Sequence, residues 1–264
     1  MLTIRRRTLA LWMAMALGMA GAGLAGLPAG NRATAAPVEQ VSPNIADYVA
    51  NRLDDFNATV HVVRYDDNAG RKISRDFGYA YKLKGDTHLF YKEENKLRLD
   101  GRLGVSKATL IVNGTRQYVA IPGLGIRTTT DLGDSPGKRK TLLDVGLISR
   151  GYLAYTEAQF LGEHPVDGVM CAVFNVSYRD KNLDTSHRTI WIDPRTKVVL
   201  KREEYSQTGK LNATYFYKAP REVTEGIWFP TQIQILNNEG QEAAVTDYRD
   251  IRVNQGLSDN LFRM

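Results

Sequence analysis

Hydrophobic and polar residues alternate with a period of two along most of the chain after residue 56. Such alternation turns one side of a segment toward a core and the other toward water, which is typical of antiparallel β-strands. Tight turns such as Asn113-Gly114 separate the alternating segments, so the sequence predicts an antiparallel meander. The predicted strands are 57–65, 73–83, 88–91, 96–99, 108–112, 117–121, 157–162, 169–179, 187–192, 198–206, 212–217, 229–236 and 244–253.

Helical spacing is confined to two places. Ser42 and Pro43 suit the start of a helix, and apolar residues follow at three- and four-residue intervals up to Phe56. Between the two groups of strands, a polar loop over 131–140 leads into the apolar residues of 142–148, which predict a second, short helix. We interpret this insert as a mobile cover over the sheet.

The number of strands leaves two arrangements open, because so many strands need either two stacked sheets or one strongly curved sheet. Aromatic side chains occur on nearly every predicted strand. Their spacing suits the inside of a curved sheet and the core of a sandwich about equally well. The strand pattern therefore predicts only the class, which is mainly β (α+β) with few helices.

The N-terminus has the three parts of a cleavable signal peptide. Three arginines at 5–7 are followed by an uncharged stretch over 8–31, and the small residues at 33–35 suit signal peptidase. Several glycines and a proline interrupt the uncharged stretch, which argues against the alternative of a membrane anchor. We expect cleavage after Ala35, a periplasmic location and a single β domain over 36–264. Two of the arginines also partly match a twin-arginine signal, so the export route stays open.

The net charge limits the classes of partner that we expect, and the cysteine count limits the disulfides that can form. The chain has 35 Lys and Arg against 29 Asp and Glu. Four of the basic residues and none of the acidic ones precede the predicted cut, so the mature charge is only about +2. This gives no argument for a nucleic-acid partner, and we expect a protein that is not integral to the membrane. Cys171 is the only cysteine, so no internal disulfide can form, and we expect it to be a buried structural residue.

The residues that commonly carry chemistry form no convincing constellation. The four histidines lie on separate segments without the spacing of a metal site. The Ser-Pro-Gly-Lys stretch at 135–138 formally matches a serine-acylase motif, but its proline and glycine argue for a loop where that motif needs a helical turn. Acidic pairs such as Glu203-Glu204 point apart on a strand, so we interpret them as solvated charges. We predict no metal, no cofactor, no catalytic residue and no enzymatic activity.

Several stretches of the second half carry a family resemblance. Residues 191–202 read Trp-Ile-Asp-Pro-Arg-Thr-Lys-Val-Val-Leu-Lys-Arg, a Gly-Lys-Leu turn follows at 209–211, and Ile-Trp-Phe-Pro stands at 227–230. The closing stretch 250–262 and the Val-Asn-Gly-Thr hairpin at 112–115 agree in layout. In these stretches the chain resembles the LolA-like family of periplasmic proteins, which includes outer-membrane lipoprotein-sorting proteins.

The resemblance implies a half-open antiparallel β-barrel of about eleven strands with a helical lid. In that family the hydrophobic cavity shelters the acyl chains of lipoproteins in transit. An acyl chain exposed to water costs about 0.8 kcal/mol per CH₂, so an apolar groove favours its capture. Strand alternation then gives the candidate cavity lining, although a register error of one residue would invert it. The candidate lipid-binding residues are Tyr79, Tyr81, Tyr91, Leu97, Leu99, Phe174, Val176, Tyr215, Tyr217 and Ile233.

One position departs from the family pattern. In the carrier itself an arginine after the aromatic residue of the third strand locks the lid, whereas the matching stretch here, 88–92, offers only Lys92. The resemblance therefore implies a related periplasmic carrier or chaperone with another lipophilic cargo, a lipid or lipoprotein acyl chain, and a membrane-bound donor or acceptor protein. Two alternatives stay open: an envelope-stress sensor of the RseB/MucB-like type and, less favoured, a lipid hydrolase.

The predicted cut can be checked by mass spectrometry of the exported protein. We expect a mature chain that begins at Ala36, because signal peptidase reads the small residues at 33 and 35. Ala35→Arg should leave the precursor uncut, whereas Ala36→Ser, one residue beyond the cut, should leave processing unchanged. An exported wild-type chain that still begins at Met1 would contradict the prediction.

Overall fold

A computed structural model describes residues 41–74, 77–83 and 85–264. The predicted signal peptide lies outside the described residues. Three short α-helices and five 3₁₀ turns accompany the strands in the described part of the chain. The strands are β1 (Asp55–Tyr65), β2 (Asp86–Lys92), β3 (Lys96–Leu103), β4 (Ser106–Asn113), β5 (Arg116–Ile121), β6 (Ile126–Asp131), β7 (Thr156–Val166), β8 (Val169–Tyr178), β9 (His187–Ile192), β10 (Val199–Tyr205), β11 (Leu211–Thr224), β12 (Ile227–Asn237) and β13 (Glu242–Val253). The helices are α1 (Asp67–Ile73), α2 (Gly78–Tyr81) and α3 (Arg150–Leu153), and the 3₁₀ turns are Ile45–Tyr48, Pro122–Leu124, Pro136–Lys138, Leu142–Val145 and Asp259–Phe262.

All thirteen strands belong to one antiparallel sheet in the order β6-β5-β4-β3-β2-β1-β13-β12-β11-β10-β9-β8-β7. The sheet therefore consists of two meanders, β1–β6 and β7–β13. They meet at a seam between β1 and β13, where Phe56 lies opposite Val253 and Val60 opposite Tyr248. The two edges are β6 and β7, which follow one another in sequence but lie at opposite ends of the sheet.

The sheet is strongly curved. The four-residue helix α3 contacts two distant parts of it: the amide of Gly151 donates to Glu93 in the β2–β3 turn at 3.1 Å, and the carbonyl of Tyr152 accepts from the hydroxyl of Thr156 on the edge strand β7 at 2.8 Å. In a flat sheet, β2 and β7 would lie roughly 38 Å apart, at about 4.8 Å per strand. A single helical turn bridges them, so of the two predicted arrangements the curved sheet is the observed one.

The chain between the two edge strands crosses the concave side of the sheet. We call residues 132–155 the cover. Its apolar residues face the sheet and are buried, with exposed fractions of 4% or less: Leu142, Leu143, Val145, Leu147, Ile148 and Tyr152. The predicted insert is thus a cover, although its helical part is only the 3₁₀ turn Leu142–Val145, begun by a capping box between Thr141 and Asp144 and ended by Gly146 in a left-handed conformation.

The predicted helix from Ser42 to Phe56 is wrong. Only the 3₁₀ turn Ile45–Tyr48 forms, and β1 already begins at Asp55. The reason is a competing backbone contact with the cover: Val49 forms an isolated parallel bridge with Ile148, and the amide of Ala50 donates to the Ile148 carbonyl at 2.9 Å. The apolar residues of the pattern are buried nonetheless, in an irregular conformation.

The predicted strand over 73–83 is also wrong, because this segment contributes to α1 and α2. Asp66 starts α1 by accepting a hydrogen bond from the amide of Ala69 at 2.8 Å. The alternating aromatic residues that suggested a strand include Phe77 and Tyr81, which are four residues apart and stack on each other with ring centroids 4.6 Å apart. Residues at every second position include pairs that are four residues apart, and such pairs lie on the same side of an α-helix. The pattern therefore fits a helix as well as a strand.

The remaining predicted strands are confirmed, with ends that shift by a few residues. One strand, β6, was missed. Its sequence, Ile-Arg-Thr-Thr-Thr-Asp, lacks alternation because every residue is exposed at the edge of the sheet. Three successive threonines were the available signal, since β-branched residues favour strands.

Gly146 allows a direct test of how closely the cover packs. A Cβ atom at Gly146 would lie 2.7 Å from Cδ1 of Tyr217, and the backbone φ is +84°. Gly168 has a similar φ of +82° but nothing within 4 Å of its Cβ position. Alanine at either position destabilises the fold, because it must adopt a left-handed conformation. Gly146→Ala should lower the free energy of unfolding by about 1–3 kcal/mol more than Gly168→Ala does, because of the clash with Tyr217.

Chemical denaturation of the two variants measures this difference in the free energy of unfolding. Gly168→Ala serves as the matched control for backbone strain. Equal losses for both variants would show that the cover is not held against Tyr217.

Candidate functional site

The candidate lining residues on strands share one face of the sheet, the concave one. They pack into a single apolar cluster that also includes the cover. Seven are buried and Leu99 is partly buried; these eight are Tyr91, Leu97, Leu99, Phe174, Val176, Tyr215, Tyr217 and Ile233. Cross-strand neighbours continue the face, as in the row Val112, Leu97, Tyr91 and Phe56. Alternation thus placed these eight residues together on the concave face, and their role in lining a lipid-binding cavity stays a prediction.

The two remaining candidates were assigned from a strand that does not exist. Tyr81 lies on α2 and still packs against the apolar cluster, stacked on Tyr65 with ring centroids 5.9 Å apart. Burial raises the pKa of Tyr81 well above its ordinary value. Tyr79 also lies on α2, and the position of its side chain is outside the described part of the structure.

Few polar contacts tie the apolar stretch of the cover to the sheet. The Tyr217 hydroxyl donates to the carbonyl of Leu143 at 2.8 Å, and the amide of Val199 donates to the carbonyl of Gly146 at 2.9 Å. Arg202 adds two more contacts, with the Leu143 carbonyl and the Asp144 carboxylate, and the rest of the interface consists of apolar side chains. A segment held in this way has no ladder of backbone hydrogen bonds to break when it moves.

An arginine lies in the middle of the concave face. Arg202, on β10, is 1% exposed, and its guanidinium carbon is 3.9 Å from the ring centroid of Tyr215. Its Nη1 atom lies 3.5 Å from Oδ1 of Asp144 on the cover and 3.4 Å from the carbonyl oxygen of Leu143. Within the described residues, its Nε and Nη2 atoms have no hydrogen-bond partner. Arg202 is therefore a buried cation whose closest polar contacts come from the cover.

Arg202 belongs to a small charged cluster. Arg188 on β9 lies 3.2 Å from Oε1 of Glu204, and its two terminal nitrogens donate to the Tyr178 hydroxyl and to the carbonyl of Gly137. Oε1 of Glu204 is also 3.8 Å from Nη2 of Arg202. The prediction that Glu204 is a solvated charge is wrong, because alternation places it on the same face as Arg202.

The charges of the cluster hold each other in the ionised form. Burial alone would raise the pKa of Glu204, but the positive charges of Arg202 and Arg188 outweigh it and lower the pKa to about 2. Burial opposes the charge on Arg202 as well, yet the neighbouring tyrosines and carboxylates raise its pKa above the ordinary value. Glu204 is consequently an anion, and both arginines are cations, at neutral pH.

The cluster could hardly be found from the sequence. Its members come from β9, β10 and the cover, and Asp144 is far from Arg202 along the chain. The available signal was that Leu200, Arg202 and Glu204 share one face of a predicted strand. Lys201 and Glu203 place charges on the other face of the same strand, so neither face of the strand could be recognised as buried.

Lys92 does not take the place of the lid-locking arginine. It lies on the convex face, where its ammonium donates to the carbonyl of Leu257 at 2.8 Å and lies 3.0 Å from Asp259. The C-terminal turn Asp259–Phe262 packs on β3 and β4 there, and Phe262 is fully buried. Two basic side chains of the sheet do reach the cover: Arg202 contacts Leu143 and Asp144, and Arg188 contacts Gly137.

Cys171 has the environment of a structural residue. It is fully buried, and burial raises the pKa of its thiol to about 12, so it is protonated at neutral pH and a poor nucleophile. Across residues 41–74, 77–83 and 85–264, no group of three or more His, Cys, Asp or Glu side chains is arranged to hold a metal ion.

Two recesses border the concave face. One, of about 720 Å³, is an open cleft where β12 and β13 stop pairing, and charged residues such as Arg221 and Asp250 line it together with Tyr248. The other, of about 80 Å³, lies beside the cover between Leu53 and Leu147 and is too small for an acyl chain. The apolar face itself is occupied by the cover, so the vacant lining that the resemblance implied is not what the structure shows.

A strongly curved, open antiparallel sheet with a covered apolar concave face is the LolA-like fold that the resemblance implied, with thirteen strands in place of the expected eleven or so. A LolA superfamily protein from Nitrosomonas europaea superimposes with a TM-score of 0.57 and 17% identity over 83% of this chain and 94% of its own. A putative outer membrane lipoprotein-sorting protein domain from Vibrio parahaemolyticus gives a TM-score of 0.56 and 13% identity over 83% and 93%. A DUF1329 family protein from Desulfovibrio piger gives 0.58 and 16% over 84% and 98%.

Sequence comparisons add little to the fold. A family model described only as "uncharacterized protein" matches residues 142–264, from the apolar stretch of the cover to the last residue. No curated protein matches the chain in sequence. In the described part of the chain, no helix is both long enough and apolar enough to cross a bilayer.

The depressed pKa of Glu204 predicts acid sensitivity. Because the folded-state pKa of about 2 lies below the ordinary 4.5, Glu204 stabilises the fold above pH 4.5, and this contribution is lost as pH falls toward 2. It amounts to at most about 3 kcal/mol. We expect the stability difference between wild type and Glu204→Gln, measured by urea unfolding, to shrink from pH 6 to pH 2.

Glu203→Gln is the matched control, since Glu203 lies on the opposite face of β10 and pairs with Lys201 at 2.7 Å, on the face that Arg202 does not share. Its unfolding should follow the pH dependence of wild type. A difference between wild type and Glu204→Gln that stays constant from pH 6 to pH 2 would rule out an ionised Glu204 as the source.

Proposed function

We propose that this protein is a periplasmic carrier or chaperone that binds the acyl chain of a lipid or lipoprotein on its concave face. The observation that supports this most is the nature of the cover. An irregular segment, not a second sheet, shields a continuous aromatic and aliphatic surface. Bound cargo would take the place of the apolar stretch Leu142–Ile148, and the cover would return when the cargo leaves.

The energies of such an exchange are balanced. Five aliphatic side chains of 142–148 are buried on the face, at about 1.5–3 kcal/mol each, or on the order of 10 kcal/mol in total. A sixteen-carbon chain that replaces them gains on the order of 12 kcal/mol, at about 0.8 kcal/mol per CH₂. The two terms are of the same order, so micromolar binding, about 8 kcal/mol, requires that the displaced stretch keep most of its burial elsewhere on the protein or against the bound chain.

The fold and the predicted leader support the same role. Two structures with this fold are described as a LolA superfamily protein and as a putative outer membrane lipoprotein-sorting protein domain. A signal peptide before Ala36 would place the mature chain in the periplasm, where acyl chains must cross water between membranes. The carrier would then need a membrane-bound donor or acceptor protein, and it would act without catalysis.

Binding of a fluorescent fatty acid to the delipidated mature protein tests this proposal. We expect a dissociation constant in the micromolar range or below. Val49→Cys/Ile148→Cys should form a disulfide, since these residues are bridge partners, and the closed cover should then exclude the probe. Reduction of that disulfide should restore binding.

The single variant Val49→Cys, with and without oxidant, is the control for the loss of a buried methyl group and for any oxidation of Cys171. Absence of micromolar binding by the wild-type protein would contradict the proposed function. Equal binding by the oxidised and reduced double variant would contradict displacement of the cover.

A further inference from the structure

The charged cluster is balanced only while the cover is in place. The strands contribute two buried cations, Arg188 and Arg202, and one anion, Glu204. The second anion, Asp144, belongs to the cover. Lys140, also on the cover, lies 3.8 Å from Asp144, but its side chain is more than half exposed and solvent screens its charge. Displacement of the cover therefore leaves one uncompensated positive charge on an apolar surface.

The same displacement removes the backbone acceptors of both arginines. Arg202 donates to the carbonyl of Leu143 at 3.4 Å, and Arg188 donates to the carbonyl of Gly137 at 3.3 Å. Both carbonyls belong to the cover. An arginine without partners in a poorly solvated site is strongly unfavourable, so whatever replaces the cover must supply new acceptors.

Arg202 already has donors available for a ligand. With the cover closed, its Nε and Nη2 atoms make no hydrogen bond within the described residues, although the side chain is 1% exposed. The guanidinium carbon lies 3.9 Å from the ring centroid of Tyr215, so the ring packs against the guanidinium. A guanidinium presents its donors in a planar fork that matches the two oxygens of a carboxylate or phosphate.

We propose that the cargo is an anionic amphiphile whose carboxylate or phosphate group replaces Asp144 on Arg202. This inference rests on the proposed function and specifies its substrate class. The acyl chain would lie along the apolar neighbours of Arg202: Ile190 and Tyr215 face it from the adjacent strands, and Ile235 continues the row. An acyl group esterified to a neutral head would leave Arg202 unpaired and would bind less tightly.

A set of ligands with one chain length and different head groups tests this. Delipidated mature protein is titrated with myristic acid, tetradecyl phosphate, myristyl alcohol and methyl myristate, each displacing a neutral fluorescent probe. Hydrogen bonds to a charged partner predict that the acid and the phosphate bind at least tenfold more tightly than the alcohol and the ester. A preference for the acid over the phosphate, or the reverse, identifies which oxyanion the site takes.

Two variants test whether Arg202 and Asp144 are responsible for the preference for an anionic head group. Arg202→Met should reduce the ratio of acid affinity to alcohol affinity to about one, because neither head group then meets a charged partner. Asp144→Asn removes the competing carboxylate and loosens the cover, so it should tighten acid binding more than alcohol binding. Lys201→Met, on the opposite face of β10 over Trp191, is the matched control and should keep the wild-type ratio.

The outcomes separate the two proposals. Equal affinity of wild type for the acid, the alcohol and the ester overturns the head-group inference and leaves acyl-chain binding intact. An acid preference that survives unchanged in both Arg202→Met and Asp144→Asn also overturns it. Failure of all four ligands to bind contradicts the carrier function itself.

Discussion

The path of the chain between β6 and β7 constrains the rest of the molecule. These strands follow one another in sequence and form the two opposite edges of a thirteen-stranded sheet, so residues 132–155 must pass from one edge to the other. Curvature makes the concave side the short way across. The sheet therefore carries its own apolar occupant, which is covalently attached at both ends and cannot diffuse away. Any ligand of that face competes with a tethered segment of the same chain.

The composition of the concave face reflects this competition. A purely aliphatic face would hold the aliphatic cover by contact area alone, without specific register. The arginine on β10 adds a fixed polar point, because Arg202 contacts both the carboxylate of Asp144 and the carbonyl of Leu143. Surrounding tyrosines supply the rest: Tyr217 donates to the same carbonyl, and Tyr215 packs on the guanidinium and donates to Glu204 at 3.1 Å. The cluster thus determines where the cover lies as well as how strongly it is held.

The sequence predicted the sheet far better than it predicted what covers the sheet. Alternation identified the strands that have one face toward the core and one toward water, and it placed the candidates from Tyr91 to Ile233 together in one apolar cluster. It failed at 73–83 because Phe77 and Tyr81 satisfy both a period of two and a helical turn. It failed at 42–56 because Val49 and Ala50 bond to the distant Ile148, an interaction that local spacing cannot reveal.

The candidate site was predicted in its apolar part only. Large apolar residues at alternating positions are enough to predict a buried face. A charged residue at such a position is not enough, because its burial depends on partners elsewhere in the chain. Glu204 looks solvated beside Glu203 until Arg188 and Arg202 are placed around it, and Arg202 is compensated only once the cover delivers Asp144. The resemblance directed attention to Lys92, which the C-terminal turn engages on the other side of the sheet.

The seam between β1 and β13 has a consequence for the order of folding. The first strand of the chain, β1, pairs with the last, β13. Each meander can therefore begin to form from local hairpins, whereas the seam can form only when the last strand is present. Pairings between such distant segments form late, because the intervening chain must first be ordered. We expect the seam to be among the last pairings to form, after hairpins within the two meanders. Until it forms, the apolar faces of the two half-sheets are not yet covered by one another or by residues 132–155.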